Sequence, residues 1–193
     1  ATAMSLAIET ANAFDSLRRE LARSRLLSEV AAVLASSLEA QPMAESLLDA
    51  IDAHLDLHLG SFYALEPEGR TLEHLAFRGY SAQAQASLSS VPVDEHTLLG
   101  HALSKRLAYL THESLPYPGV HRPAPLAEVS DDRWIILPLR VGEQLLGGMV
   151  LAFPGRRPFQ SDEISLFQTI ASLVSIALRN ARLYEEQKAI AQN

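Results

Sequence analysis

Residues 134–153 have the sequence WIILPLRVGEQLLGGMVLAF, and the rest of the chain is organised around this stretch. It contains two continuous apolar runs of strand length, at residues 134–139 and 145–153, and a polar turn separates them. Short apolar runs bounded by turn residues are typical of strands that are buried on both faces. The stretch therefore predicts a β-hairpin near the centre of a sheet.

The segment after this hairpin predicts a long helix. Pro154 and Pro158 interrupt the backbone, and Ser161 then stands in front of an apolar-periodic segment. Asp162 and Glu163 fall in the predicted first turn, where the helix dipole favours acidic side chains. We therefore predict a helix over residues 162–189.

Apolar side chains lie on two sides of this predicted helix. One stripe consists of Ile164, Phe167, Ala171, Val174 and Leu178, and the other of Leu166, Ile170, Leu173, Ala177 and Tyr184. A helix on the surface of a monomer needs one such stripe. The second stripe indicates a second partner, which is the N-terminal helix of the same chain, a second copy of the chain, or both.

The N-terminal part of the chain predicts two more helices. Residues 4–39 contain no proline or glycine, and the apolar stripe in their first half is narrow, which favours pairing with a partner helix. The alternative is an amphipathic helix that leads into the domain without a partner. Pro42 suits the first turn of a second helix over residues 43–58, and Gly60 is predicted to close it in a left-handed conformation.

Two alternating segments in the middle of the chain predict a second hairpin. Residues 61–65 and 71–77 flank a turn that contains proline and glycine. Successive side chains of a strand point to opposite faces, so strict alternation groups the residues of the second strand by face. One face would hold Leu72, His74 and Ala76, and the other Leu75 and Phe77.

The rest of the middle region predicts short elements and a long loop. Short helices are expected at residues 82–88 and 98–106, the second with Thr97 as its N-cap, and a short strand at 107–111. Residues 112–132 contain four prolines, too many for a plain connection in a compact domain. Such a loop is usually a lid or is disordered, and our leading hypothesis is that it covers a ligand as a lid.

Composition excludes several classes of function. The net charge is −7 and the chain has no cluster of basic residues, which argues against a nucleic-acid partner. There are no cysteines, so disulfides, thiolate metal sites and cysteine nucleophiles are excluded. No run of eighteen apolar residues or signal-like start is present, so we expect no membrane span and a cytoplasmic protein. At 193 residues and 48% hydrophobic content, the chain can form one domain with its own core.

Several features of the second half together resemble the closing half of a GAF domain. They are Leu137-Pro138-Leu139, a turn with Gly142, Leu146-Gly147, Phe159 followed by Asp162-Glu163, and the closing Asn180-Ala181-Arg182-Leu183-Tyr184-Glu185. Their order and spacing agree with the family, and a coarser match continues back to about residue 25.

The resemblance implies an α+β fold, an α/β sandwich. Its central antiparallel sheet of about five to six strands would carry the terminal helices on one face and short helices plus the long loop on the other. We expect three parts: a signalling and dimerisation helix at residues 1–40, a GAF core at 41–160, and a C-terminal helix at 161–193. That last helix completes the fold and would run toward an output domain of kinase or cyclase type.

The resemblance also implies a sensory function. GAF domains are small-molecule-sensing or dimerising modules of cytoplasmic signalling proteins, and they often dimerise through terminal helices. We expect a non-catalytic module of this kind, as in two-component systems, that forms a parallel homodimer through coiled-coil helices and relays the binding of a small ligand. A ligand-free relay module and a non-covalent haem sensor are the alternatives.

In GAF folds the pocket lies between the sheet and the covering helices and loop. The polar and aromatic residues of those segments are the candidate ligand contacts, each with core packing or surface exposure as its alternative. They are Tyr63, His74, Phe77, His101, Tyr109, Tyr117, His121 and Trp134. The sequence does not specify the ligand or cofactor.

Catalytic and metal-binding interpretations have little support. GAF proteins that reduce free methionine sulfoxide use cysteines, and this chain has none. Asp162-Glu163 lacks the preceding asparagine and lysine of the cyclic-nucleotide signature. His54 and His58 are one helical turn apart, but they lack a metalloprotease pattern and are predicted to face solvent. His112 and His121, on the long loop, are the candidates for a haem ligand.

Overall fold

The computed structural model describes residues 2–94, 96–114 and 132–191. Within these residues the chain forms five α-helices, six strands and one short 3₁₀ turn. In chain order they are α1 Thr2–Ser36, α2 Ala40–Leu55, β1 Leu59–Leu65, β2 Thr71–Arg78, α3 Ala82–Ser87, β3 Ser90–Pro92, α4 Leu98–Ser104, β4 Leu110–Thr111, the 3₁₀ turn His112–Ser114, β5 Arg133–Val141, β6 Gln144–Phe153 and α5 Ser161–Ala191.

The strands form one antiparallel sheet in the order β3-β2-β1-β6-β5-β4. Strands β5 and β6 make the expected hairpin, with Trp134 opposite Ala152 and Val141 opposite Gln144. Strands β1 and β6 are the central pair, although they are far apart in sequence. Strand β6 is buried along most of its length, which explains its continuous apolar character, and β1 is buried over its first five residues.

The sheet separates two hydrophobic layers. Helices α1, α2 and α5 pack on one face, and the cluster there includes Val30, Leu47, Phe62, Met149 and Ile170. The short helices α3 and α4 cover the other face, where the buried residues include Tyr63, Leu72, Leu98, Trp134 and Ile136. This arrangement confirms the expected α+β sandwich.

The first turn of α5 is stabilised by an acidic side chain inside the helix. The backbone N–H of Gln160 donates to Oε2 of Glu163 at 2.9 Å, as the acidic member of a capping box does. Arg133 and Arg157 also donate to this carboxylate, at 2.9 and 2.6 Å. Burial raises the pKa of Glu163, but the hydrogen bonds from Arg157, Gln160 and Arg133 outweigh it and lower the pKa to about 2.

The predicted C-terminus of α2 is wrong. The helix ends at Leu55, and Asp56 adopts the left-handed conformation with φ 51° and ψ 60°. Asp52 stabilises this end because its carboxylate accepts the N–H of Leu57 at 3.0 Å. Gly60 instead lies in β1, where a Cβ atom would be 2.6 Å from Cδ2 of Leu48. That glycine permits close packing of the strand on α2.

Two short strands also differ from expectation. Strand β4 contains two residues rather than the five predicted at 107–111, and β3 was not predicted. Strand β3 pairs Val91 with Leu72 of β2, and a three-residue strand leaves too short an alternation to be recognised in sequence. Residues 115–131 lie outside the described residues, so the lid at 112–132 stays a prediction.

The two long helices extend beyond the packed core. Leu26 and Val30 of α1 are buried, whereas Phe14, Leu17 and Leu21 in its first half are exposed. Within the described residues, α5 is long and apolar enough to cross a membrane by length and composition alone. The core helices of soluble proteins can be equally long and apolar. In α5, 44% of the most apolar 18-residue segment is buried inside the chain.

Candidate functional site

A pocket of about 210 Å³ lies between the sheet and the layer of short helices. Ser61 and Tyr63 of β1, with Ile136 of β5 and Val150 of β6, form its floor. Its walls come from α3, β3, α4 and the turn after β2, and they include Tyr80, Val91, Leu98 and Leu99. A small concave site with an apolar lining and a few polar groups is typical of a small-molecule site.

Strand geometry explains the position of the two β1 side chains. Ser61 and Tyr63 are two residues apart and so lie on one face of β1, while Phe62 between them packs in the opposite layer. Tyr63 could be predicted from its aromatic character. Ser61 was missed, although the same alternation would have placed it beside Tyr63.

The predicted grouping of residues in β2 is wrong because the strand contains a bulge. Phe62 pairs with Ala76 but Tyr63 pairs with His74, which leaves Leu75 without a partner. Leu75 and Ala76 consequently both pack against the long-helix layer. The rings of His74 and Phe77 stack at 5.0 Å with an interplanar angle of 13°, so these two residues share a side.

Aromatic contacts hold the two pocket tyrosines in place. Phe77 packs edge-on against Tyr63 at 6.0 Å and against Tyr80 at 5.3 Å between ring centroids. Tyr80 follows Gly79, whose φ is +79° and where a Cβ atom would lie 2.0 Å from the carbonyl oxygen of His58. Glycine is therefore required at this turn, and the turn directs Tyr80 back over the sheet.

The polar groups of the pocket are neutral hydroxyls. Oγ of Ser61 lies 3.4 Å from the hydroxyl of Tyr80. Burial raises the pKa of Tyr63, the nearby Tyr80 raises it further, and a hydrogen bond with Ser61 opposes this shift. Burial likewise raises the pKa of Tyr80. Both tyrosines are therefore protonated at physiological pH, and no described residue with a charged side chain lines the pocket.

Thr97 has a structural role at the same pocket. Its side chain accepts the N–H of Gly100 at 3.0 Å and caps α4, as predicted. This cap fixes the helix that carries Leu98 and Leu99 over the cavity. Thr97, Tyr80 and the residues of β3 were not among the predicted ligand contacts, because a pocket built from separate segments leaves no local pattern.

The predicted ligand contacts occupy different places. Tyr63 lines the pocket, and Trp134 is buried in the same layer without lining it. Phe77 contacts both pocket tyrosines, and His74 stacks on Phe77. His101 is half-buried in α4, and Tyr109 is 37% exposed, and neither lines this pocket. Tyr117 and His121 lie outside the described residues.

The histidines do not form a metal site within the described part of the chain. Nε2 of His54 lies 2.6 Å from Glu29 of α1, and Nδ1 of His58 lies 2.6 Å from Asp132. Because α2 ends before His58, these two histidines do not share a helix face. His112 packs edge-on against Trp134, with ring centroids 6.4 Å apart.

A direct link connects the pocket strands with α5. Nη2 of Arg182 donates to the carbonyl oxygens of Leu65, at the end of β1, and of Leu146 in β6, the latter at 3.0 Å. The two strands approach closely here, because a Cβ atom at Gly147 would lie 2.0 Å from the carbonyl oxygen of Tyr63. Arg182 thus contacts the two strands that contribute Ser61, Tyr63 and Val150 to the pocket.

Several solved structures have a fold similar to that of this chain. The GAF domain of a phosphoenolpyruvate-protein phosphotransferase from Coxiella burnetii is 15% identical, with a TM-score of 0.72 over 86% of this chain and 98% of that one. A free methionine-R-sulfoxide reductase from Neisseria meningitidis, in complex with its substrate, is 13% identical. Its TM-score is 0.68, and the match covers 84% of this chain and 91% of the reductase chain. A GAF domain/HD domain protein from Geobacter sulfurreducens is 12% identical. Its TM-score is 0.61, and the match covers 76% of this chain and 96% of that protein's chain.

Sequence comparison identifies the family. No curated protein matches the chain. A family model described as GAF domain matches residues 37–179, which is most of the chain and includes the whole sheet. GAF domains are regulatory and sensory modules of signalling proteins. This chain belongs to the GAF domain family.

Proposed function

We propose that this GAF domain is a non-catalytic sensor that binds a small molecule in the pocket and relays its binding through α5. The observation that supports the proposal best is the position of Arg182. It lies on α5 and is hydrogen-bonded to both central strands of the sheet, and both of these strands contribute residues to the pocket.

The relay needs two arrangements of the central strands with different affinities for the ligand. Ser61 and Tyr63 lie within a few residues of Leu65, whose carbonyl accepts from Arg182. A ligand that shifts this part of β1 changes the geometry at Arg182, and α5 adjusts with it. A hydrogen-bonded contact between two packed elements is the kind of physical connection that such coupling requires.

A parallel homodimer is part of the proposal, and the exposed surface of α5 supports it. Ile176, Leu183 and Ile190 are spaced seven residues apart and are 47%, 50% and 76% exposed. Leu173, Asn180 and Gln187 fall three residues before them. Together they follow the a and d spacing of a coiled coil, and an asparagine at an a position is known to specify a two-stranded register.

The proposed domain organisation follows from the same helices. Residues 1–40 and 161–193 would be the dimerisation and signalling helices, and 41–160 the GAF core. The structural relatives include a GAF domain/HD domain protein, which is consistent with an output domain in a cytoplasmic signalling protein. We infer that the output domain, of kinase or cyclase type, follows α5.

Absence of catalysis is also a proposal, and the pocket chemistry supports it. The chain has no cysteine, and the pocket tyrosines are held in their neutral form.

The haem alternative receives no support from the pocket. Pockets for drug-sized ligands have volumes of about 300–1,000 Å³, and this one is smaller and is lined by no histidine among the described residues.

The proposal is tested by hydrogen exchange of α5 together with native mass spectrometry. A library of small molecules is first screened by thermal shift, and amide exchange at residues 179–190 is then measured with and without each compound that binds. We expect a dimer whose α5 exchange changes on binding in the wild type and not in Arg182→Ala. The matched control is Arg179→Ala, an exposed arginine one turn earlier, which should respond like the wild type. A dimer that no compound stabilises would favour the ligand-free relay module.

A further inference from the structure

We propose that the pocket selects an uncharged molecule about the size of one substituted aromatic ring, with a hydroxyl or carbonyl group bound between Ser61 and Tyr80. This inference rests on the proposed function, since it names the class of ligand for the same pocket. Three independent features of the described residues support it: the volume of the cavity, the charge of its lining and the position of its hydroxyls.

The volume of the cavity fits a single ring. An apolar cavity of about 150 Å³ accommodates benzene. The pocket has about 210 Å³, which leaves room for a ring and a few additional heavy atoms. A nucleotide or a tetrapyrrole is much larger than this space and would extend outside the cavity.

The lining excludes charged ligands. Its described side chains are apolar or carry hydroxyl groups, and none can neutralise an ion. Moving an ion from water into such a site without a paired charge is strongly unfavourable, whereas a neutral apolar molecule gains free energy from leaving water. A carboxylate, a phosphate or an ammonium group is therefore rejected.

The hydroxyl groups give the ligand an orientation. The 3.4 Å between Oγ of Ser61 and the hydroxyl of Tyr80 is longer than the roughly 2.7–2.8 Å typical of such hydrogen bonds. Each hydroxyl has one donor and two acceptor positions, so both retain capacity for a ligand atom. Leu98, Leu99, Ile136 and Val150 form the apolar end of the site.

The chain offers a way to reduce the pocket without changing its chemistry. A Cβ atom at Gly148 would lie 2.6 Å from Cδ1 of Leu99, which is a pocket-lining side chain. The flexible end of Leu99 can move, so Gly148→Ala should displace it and reduce the space for a ring. Tyr80→Phe removes the hydroxyl alone, and the partly exposed Tyr109→Phe is its matched control.

The experiment titrates the full 193-residue chain with four ring compounds that differ in one group. These are p-cresol, which is neutral with a hydroxyl, toluene without it, benzoate and benzylammonium. Binding is followed by the backbone amide resonances of Ser61, Tyr63 and Tyr80. We expect p-cresol to bind more tightly than toluene, and neither ion to bind. Tyr80→Phe should weaken p-cresol about fivefold to tenfold and leave toluene unchanged, as expected for one hydrogen bond. Gly148→Ala should weaken both neutral compounds.

The outcomes separate this inference from the proposed function. Tighter binding of benzoate or benzylammonium than of p-cresol at these amides would overturn the inference and leave the sensory role intact. An unchanged p-cresol affinity in Tyr80→Phe, or no amide shift with any of the four compounds, would overturn it as well. If p-cresol binds as expected but amide exchange in α5 does not change, the inference stands and the proposed relay fails.

Discussion

Nη2 of Arg182 donates a hydrogen bond of 3.0 Å to the carbonyl oxygen of Leu146, and so joins the C-terminal helix to the central strand β6. The same nitrogen donates to the carbonyl oxygen of Leu65 in β1. A single side chain therefore satisfies one carbonyl on each of the two central strands, both of which contribute residues to the pocket. Burial lowers the pKa of Arg182, although Glu186 opposes the shift.

Replacing Arg182 should destabilise the fold as well as interrupt the relay. Arg182→Ala removes two hydrogen bonds from a charged donor, and we expect the free energy of unfolding to fall by about 1–3 kcal/mol. Urea denaturation measures this change. Arg179→Ala, on the exposed side of the same helix, should change it by less than about 0.5 kcal/mol. Equal losses in the two variants would show that Arg182 makes no special contribution.

Gly147 and Gly148 should differ sharply in their tolerance of alanine. At Gly147 a Cβ atom would meet the backbone carbonyl of Tyr63 at 2.0 Å, so β1 and β6 would have to separate. At Gly148 it would meet the end of the Leu99 side chain, which can move. We expect Gly147→Ala to cost at least about 2 kcal/mol of stability and Gly148→Ala less. Thermal unfolding provides the comparison, and equal melting temperatures would contradict it.

The start of α5 should be sensitive to acid through Glu163. Its pKa in the folded state is about 2, below the ordinary value of 4.5, because Arg157, Gln160 and Arg133 stabilise its ionised form despite burial. A lowered pKa gives stability that is complete above about pH 5 and is lost as the pH falls from the unfolded value toward the folded one. We therefore expect Glu163→Gln to be less stable than the wild type by about 1–3 kcal/mol at neutral pH.

This difference should shrink as the pH falls toward 2. Unfolding free energies of both proteins between pH 7 and pH 2.5 test the prediction, with the exposed Asp162→Asn as the control. A difference that stays constant over this range would mean that the charge of Glu163 does not stabilise the helix.

The proposed coiled coil predicts that substitutions at two positions on α5 have opposite effects on the dimer. Leu183 is at a d position and should be buried in the dimer, so Leu183→Lys should produce a monomer. Glu185 lies two residues later, at an outer position of the same repeat, and Glu185→Lys should remain dimeric. Light scattering after size exclusion measures the mass. A dimeric Leu183→Lys protein would exclude this helix surface as the interface.

The hairpin of β5 and β6 could be predicted from sequence because both strands are continuous apolar runs. The N-cap at Thr97 was predictable for a similar reason, since a cap depends on residues within one turn. The bulge in β2 was not predictable, because it arises from the register between Tyr63 and His74 on neighbouring strands. The left-handed Asp56 was missed because its stabilisation involves the nearby Asp52 side chain rather than a glycine.

The residues of the pocket could likewise be predicted only in part from the sequence. Tyr63 was a candidate because it is an aromatic residue on a predicted strand. Ser61 and Tyr80 were not, because neither residue type nor spacing shows that β1 and the turn after β2 bring their hydroxyls to within 3.4 Å of each other. The family resemblance indicated the layer of the fold in which a pocket should lie, and the tertiary structure was needed to identify the side chains.

The most direct test of the relay is amide hydrogen exchange at residues 179–190 in the presence and absence of saturating p-cresol, in the wild type and in Arg182→Ala. We expect p-cresol to change exchange in the wild type by at least about threefold and to have no effect on these residues in Arg182→Ala, although it binds both proteins. If p-cresol shifts the amides of Ser61 and Tyr80 in the wild type while exchange in α5 stays the same, the pocket and the helix are not coupled.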